Sequence, residues 1–260
     1  MPEFIHQISK GSRYNQIYIP KEMEEMFEIG DTIKVILLKK KTFIYYSKNL
    51  KLGEFKKNLI KKVFQLLASF PEIKQVFIVG SFLVKKTDYK DIDILIVYNK
   101  KINEEKIQDF LTEKITLNFH ILAIEEKSFN SLVKICPLTR STLYYFVSNR
   151  KFVLPEESIF DKNHINFLLM MPYDLLKINA GSRTFYDNIR RLTTIQRFLE
   201  KKPLNPEEID AELEKNLGNF LFSLIKNNES IDEKIIKKLR NLIKLKLQTI
   251  SKLIKWEKQN

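Results

Sequence analysis

The run VGSFLVKKTDYKDIDILIV, residues 79–97, holds a Gly-Ser pair, a basic spacer and two aspartates around one isoleucine. Gly80 has no side chain, so backbone N–H groups there can close on an anion, and Ser81 adds a hydroxyl donor. A helix starting near Phe82 would aim its own N-terminal N–H groups at the same point. Asp91 and Asp93 open an apolar run at i and i+2. Strand alternation puts both carboxylates on one face and Ile92 and Ile94 on the other. Carboxylates that close repel one another unless a cation lies between them. Mg²⁺ suits the place, because it takes one or two carboxylates together with phosphate oxygens. The spacing therefore points to a metal–nucleotide site. Lys85, Lys86 and Lys90, in the loop between its halves, are either phosphate contacts or a solvated basic loop.

The elements around this stretch must hold it in place. The pattern over 52–70 has helical period, with Phe55, Leu59, Val63, Leu66, Leu67 and Phe70 on one face and lysines on the other. Pro71 stops it. Strands are expected over 75–79 and 92–97, a helix over 104–113, and a strand over 115–124. On that last strand Ile115, Leu117, Phe119 and Ile121 share one face, and Thr116, Asn118 and His120 share the other. Helices follow over 125–135 and 139–149, then a short strand over 151–154. Beyond residue 158 the pattern is helical: 172–199, weakened at Gly181, then 206–226, with a break allowed near Gly218, and 231–258. The order implies an α+β fold with a central mixed sheet and a helical C-terminal region.

Before residue 48 the chain alternates short β-like runs with turns: 4–8, 16–19 ended by Pro20, 32–38 after Gly30-Asp31, and 42–46. One or two helical turns are expected over 21–27. So small a β-rich unit buries little core alone and is expected to dimerise or to dock on its neighbour. The boundaries are drawn at 1–48, 49–155 and 156–260.

The chain of 260 residues carries a formal net charge of +13, which reads either as a field that favours DNA, RNA, nucleotides or an anionic membrane surface or as a lysine-rich solvated surface. Its single cysteine, Cys136, excludes an internal disulfide. No apolar run reaches the length of a membrane span, and the N-terminus lacks a signal-peptide core. A soluble cytoplasmic protein without membrane association is expected.

Two resemblances follow from quoted residues. Lys10-Gly11-Ser12-Arg13-Tyr14-Asn15-Gln16-Ile17-Tyr18-Ile19-Pro20-Lys21-Glu22, with Gly30-Asp31-Thr32-Ile33-Lys34-Val35 downstream, resembles the AbrB/SpoVT family of swapped-hairpin DNA-binding domains. The resemblance implies an intertwined homodimer docking on DNA through Lys10, Arg13 and Lys21. Gly80-Ser81, nine residues, then Asp91-Ile92-Asp93 resembles the DNA polymerase β-type nucleotidyltransferases, the minimal ones above all. This second resemblance implies that Gly80 and Ser81 hold a nucleoside triphosphate, with ATP expected, while Asp91 and Asp93 bind Mg²⁺. A nucleoside monophosphate would pass to a hydroxyl on RNA, a protein or a small molecule.

That family brings a third carboxylate from a later strand, whereas the polar face here offers Thr116, Asn118 and His120. Asn118 can coordinate a metal, and His120 can act as base or stand as an ordinary hydrogen-bonded strand histidine. Either the site transfers with two carboxylates, or the chain is a DNA-binding regulator, of toxin–antitoxin or plasmid type, whose transferase-like domain binds nucleotide with little catalysis. Further on, Arg183, Arg190 and Arg197 recur at seven-residue spacing. With Phe185 and Tyr186 between them they form either a nucleic-acid face or a salt-bridged helix face.

Overall fold

The computed structural model describes residues 3–36, 41–47, 50–84, 89 and 91–256. The chain divides into two compact units, Met1–Lys41 and Thr42–Asn260.

In the first unit, strands β1 (Ser9–Lys10) and β2 (Asn15–Gln16) pair antiparallel. The Gly11 N–H donates to the Tyr14 carbonyl at 2.9 Å and closes the turn. A 3-10 helix, Lys21–Met26, starts after Pro20, whose fixed φ and missing N–H suit a helix start. Gly30 follows at φ +109°. The basic turn, the Ile-Pro-Lys step, the short helix and the Gly-Asp step thus occur in the expected order. The four strands do not. Residues 4–8 and 32–36 form no ladder, and 37–38 lie outside the described residues. A strand needs a neighbour for its N–H and C=O groups, and within one chain these segments find none. Ile5, Ile8, Ile29, Val35 and Ile36 are left exposed.

In the second unit a five-stranded mixed sheet has the order Tyr45–Tyr46 (β3), Val147–Ser148 (β7), Ile73–Val79 (β4), Ile92–Tyr98 (β5) and Phe119–Glu125 (β6). Strand β3 (Tyr45–Tyr46) pairs with β7 (Val147–Ser148), about a hundred residues later, so the run over 42–46 belongs to this sheet rather than to the N-terminal unit. Helix α1 (Glu54–Leu67) buries Leu59, Ile60, Val63, Phe64 and Leu67 on one stripe. Strands β4 (Ile73–Val79) and β5 (Ile92–Tyr98) are antiparallel. Helix α2 (Glu104–Ile115) is capped by the Asn103 side chain and ends at Thr116, in left-handed conformation at φ 63°. Strand β6 (Phe119–Glu125) then pairs parallel with β5.

The strand expected over 115–124 therefore starts four residues late. Ile115 closes the helix, and Thr116 is its cap rather than a strand residue. One sheet face, with Val76, Ile78, Ile92, Ile94 and Ile121, packs with the buried residues of α1 and α2. The other, with Phe77, Val79, Leu95 and Val97, packs with Phe129 and Val133 of α3 (Glu126–Ile135).

After α4 (Pro137–Thr142) the chain turns extended into β7, where a helix over 139–149 was expected. Asn149 Oδ1 accepts the Val76 N–H at 2.9 Å, and Ser148 Oγ accepts from Gln75 Nε2 at 2.9 Å, which fixes this segment beside β4. Residues 151–154 are not a strand, and Phe152 packs its ring on Phe77 instead.

The rest is helical: α5 (Lys162–Asp174), α6 (Ser182–Leu199), α7 (Pro206–Leu217), α8 (Asn219–Lys226) and α9 (Glu233–Trp256). The single helix expected over 172–199 is divided. Pro172 sits in the last turn of α5, and Gly181 caps the start of α6. The helical run over 206–226 breaks at Gly218, the position that the sequence allowed, at φ +82°. Phe185, Ile189, Leu192 and Ile195 of α6 share a core with Leu239, Ile243, Leu247 and Ile250 of α9. Among the described residues no helix is long and apolar enough to cross a membrane.

Candidate functional site

The site lies where β4 ends and β5 begins. Val79 is register partner of Asp93, so the residue after Val79 passes beside that carboxylate. Gly80 stands there at φ +77°. A Cβ built on it would come 2.1 Å from Asp93 Oδ2. Both the left-handed backbone and the close approach require glycine.

Residues 81–84 continue as turns, with the Leu83 N–H on the Gly80 carbonyl and the Val84 N–H on the Ser81 carbonyl, each at 3.2 Å. No helix starts at Phe82 among the described residues, so the backbone that follows Gly80 is a turn rather than a helix terminus. Phe82 and Leu83 are buried in the core, which leaves Ser81 exposed.

Asp91 is exposed just before β5, and the Asp93 side chain is about one-third exposed, at 33%. In the parallel pairing Asp93 lies opposite His120, and His120 Nδ1 is 3.0 Å from Asp93 Oδ1. The same register, carried one step further, puts Asn118 beside Asp91. The Asn118 carbonyl accepts the Ile92 N–H at 3.0 Å, and its residue is exposed. The structure thus brings Gly80, Ser81, Asp91, Asp93, Asn118 and His120 together at one end of the sheet. Thr116 stays on the α2 cap, and Lys85, Lys86 and Lys90 lie outside the described residues.

Burial raises the Asp93 pKa, the negative charge of Asp91 raises it further, and the His120 hydrogen bond opposes both. The folded protein therefore holds this proton more tightly than the unfolded chain. The stability so gained is full at acid pH and is lost as pH rises through the raised value. An Asp93→Asn protein in metal-free buffer should melt above the parent at neutral pH, and the two should converge at acid pH. Thermal melts across that range check this.

Lysine 56, which the sequence pattern assigned to a solvated helix face, braces the site. Its Nζ donates to the Phe82 carbonyl at 2.5 Å and stands 5.0 Å from the Phe82 ring centroid and 5.7 Å from that of Tyr89. Phe82 and Tyr89 meet edge to face at 4.9 Å. Burial pushes the Lys56 ammonium pKa down. One cation thereby ties together both ends of the loop that separates Gly80-Ser81 from Asp91. The aromatic residues flanking the basic spacer were the only sequence signal for this clasp.

No family model matches this chain, and no curated protein matches it. Among solved structures, a spectinomycin adenyltransferase from Enterococcus faecialis, crystallised with ATP and spectinomycin, is similar to it. The identity is 13%, covering 74% of this chain and 100% of that one, with a TM-score of 0.44.

The remaining candidates divide. Lys10 in β1, Arg13 in the turn and Lys21 at the start of the 3-10 helix are all exposed. The arginine row of α6 is engaged internally. Arg183 pairs with Asp187 at 3.2 Å and donates to the Lys226 carbonyl, and Arg190 pairs with Asp210 at 3.0 Å. Arg197, buried, binds Glu208, Glu212 and the Pro203 carbonyl. Of the two readings of this shared face, the ion pairs favour the salt-bridged helix face.

Proposed function

We propose that the second unit is a nucleotidyltransferase moving a nucleoside monophosphate from a nucleoside triphosphate, ATP first among them, to an acceptor hydroxyl. The observation that carries this reading is the contact of Gly80 with Asp93, which joins the anion cradle to the carboxylate pair. Asp91 and Asp93 would hold Mg²⁺. Their hard oxygens suit it, and the ion asks for no more than one or two protein carboxylates when phosphate oxygens complete its shell. This fits a chain in which no cluster of three His, Cys, Asp or Glu side chains is placed for a metal among the described residues. When bound, the ion polarises the phosphoryl group and neutralises charge on the leaving pyrophosphate.

The chain's own residues do the rest. The backbone at Gly80 and the Ser81 hydroxyl bind and orient the phosphates. Asp93 holds His120 through Nδ1, which leaves Nε2 as the atom that takes the acceptor's proton. The acceptor oxygen bonds to the α-phosphorus, the bond from that phosphorus to the bridging oxygen breaks, and pyrophosphate leaves.

One observation favours a second reading. Asn118 stands beside Asp91 where a carboxylate would complete the family pattern, which suits a nucleotide-binding regulator with weak transfer. The exposed apolar residues of the first unit support a homodimer closed by strands from a second copy, with Lys10, Arg13 and Lys21 on its DNA-facing side.

The test is transfer of label from α-labelled nucleotides to RNA, protein and small-molecule acceptors. Transfer with Mg²⁺ that stops on chelation with EDTA is expected. Tight nucleotide binding without transfer across the panel favours the regulator.

A further inference from the structure

Helix α9 concentrates charge beyond the needs of the fold. Its 24 residues carry eight of the chain's cations and one carboxylate, Glu233. Two of the cations serve the body. Lys246, 6% exposed, reaches Glu212 at 3.7 Å and Gln196 at 3.2 Å, and Arg240 donates to the Leu175 and Ile178 carbonyls. The other six, Lys234, Lys237, Lys238, Lys244, Lys252 and Lys255, are exposed, and none takes an ion-pair or hydrogen-bond partner among the described residues.

At about 100° per residue these six fall within an arc of about 120°, and from first to last they span about 31 Å. The opposite arc, with Leu239, Ile243, Leu247, Ile250 and Ile254, is buried. Within the lysine arc, over its middle turns, stand Asn241, Gln248 and Leu245, which is 60% exposed although apolar. Lys237 and Lys244 lie to one side of that crest, Lys238 lies to the other, and the remaining three lie toward the helix ends.

We propose that α9 docks in the major groove of duplex DNA, its lysines on the phosphates of the groove walls and its Asn241–Leu245–Gln248 crest toward the base edges. The charge fits a polyanion, and a single helix fits the ~12 Å width of that groove. Asn and Gln are the side chains that pair two-point with adenine, and an apolar side chain meets the thymine methyl. A-form RNA has a major groove too deep and narrow for a helix. An acidic membrane surface is served by an apolar face that inserts, and here that face is spent on α6, with Leu245 alone left outside. This surface is distinct from the proposed contacts of the first unit and from the nucleotide site.

Full-length protein would be titrated with a labelled DNA duplex over a range of salt, beside a Lys237→Gln/Lys238→Gln/Lys244→Gln variant. Removing three phosphate contacts should weaken binding and flatten the slope of log K against log salt by about 2.7. The same loss should appear in a Lys10→Ala/Arg13→Ala/Lys21→Ala background, which removes the exposed cations proposed for the first unit. The corresponding Lys→Arg triple should keep the parent slope, which separates charge from folding. An unchanged affinity and slope overturn the proposal, as does an equal loss on duplex RNA or on anionic vesicles.

Discussion

A Gly80→Ala protein should melt below the parent and lose about a hundredfold in transfer. The first effect is backbone strain, because a Cβ at φ +77° costs about 1–2 kcal/mol. The second is local. The new Cβ would lie 2.1 Å from Asp93 Oδ2, far inside van der Waals contact, so the carboxylate or the turn must shift. Misplacement of about 1 Å in a positioned site costs ~10² in rate. Asp93 also carries the bond to His120, so moving it moves the proposed proton acceptor as well. Melting curves and steady-state transfer on one preparation separate the two effects. Loss of stability with full activity would place Asp93 outside the reacting geometry.

Removing both carboxylates should have the larger effect on chemistry. An Asp91→Ala/Asp93→Ala protein should lose at least ~10³ in transfer, the rate equivalent of the several kcal/mol a bound metal contributes to a phosphoryl transition state. Its fold should survive. Asp91 is exposed, and Asp93 is a carboxylate whose pKa is raised by burial, so the native state gains little from its charge at neutral pH. Rate loss without a lowered melting temperature is the signature of a site residue. Transfer undiminished in this variant would remove both aspartates from the chemistry.

Local spacing made half of the site legible. Gly80-Ser81 and Asp91-Ile92-Asp93 are short-range patterns, and alternation alone put both aspartates on one face. Asn118 and His120 were placed on the correct face, but their pairing with β5 depends on a parallel register across 27 residues, which no local pattern encodes. The same limit hid the pairing of β3 with β7 and the reach of Lys56 across 26 residues to Phe82. Helix ends were misread where a breaker lay inside a continuing apolar period. Pro172 is tolerated in the last turn of α5, and Gly181 rather than Pro172 opens α6. The arginine row left two readings open, because seven-residue spacing fixes a shared face and says nothing of what packs against it. Asp210, Glu208 and Glu212 of α7 meet that face and take the charges.

Gly80, Ser81, Asp91 and Asp93 are proposed to form one metal–nucleotide site. Calorimetric titration of ATP into the parent and into the Asp91→Ala/Asp93→Ala protein, each with Mg²⁺ and again with EDTA, tests it most directly. Binding by the parent should require Mg²⁺ and should be lost in the variant. Equal affinity in all four titrations, or no binding by the parent with Mg²⁺, would contradict it.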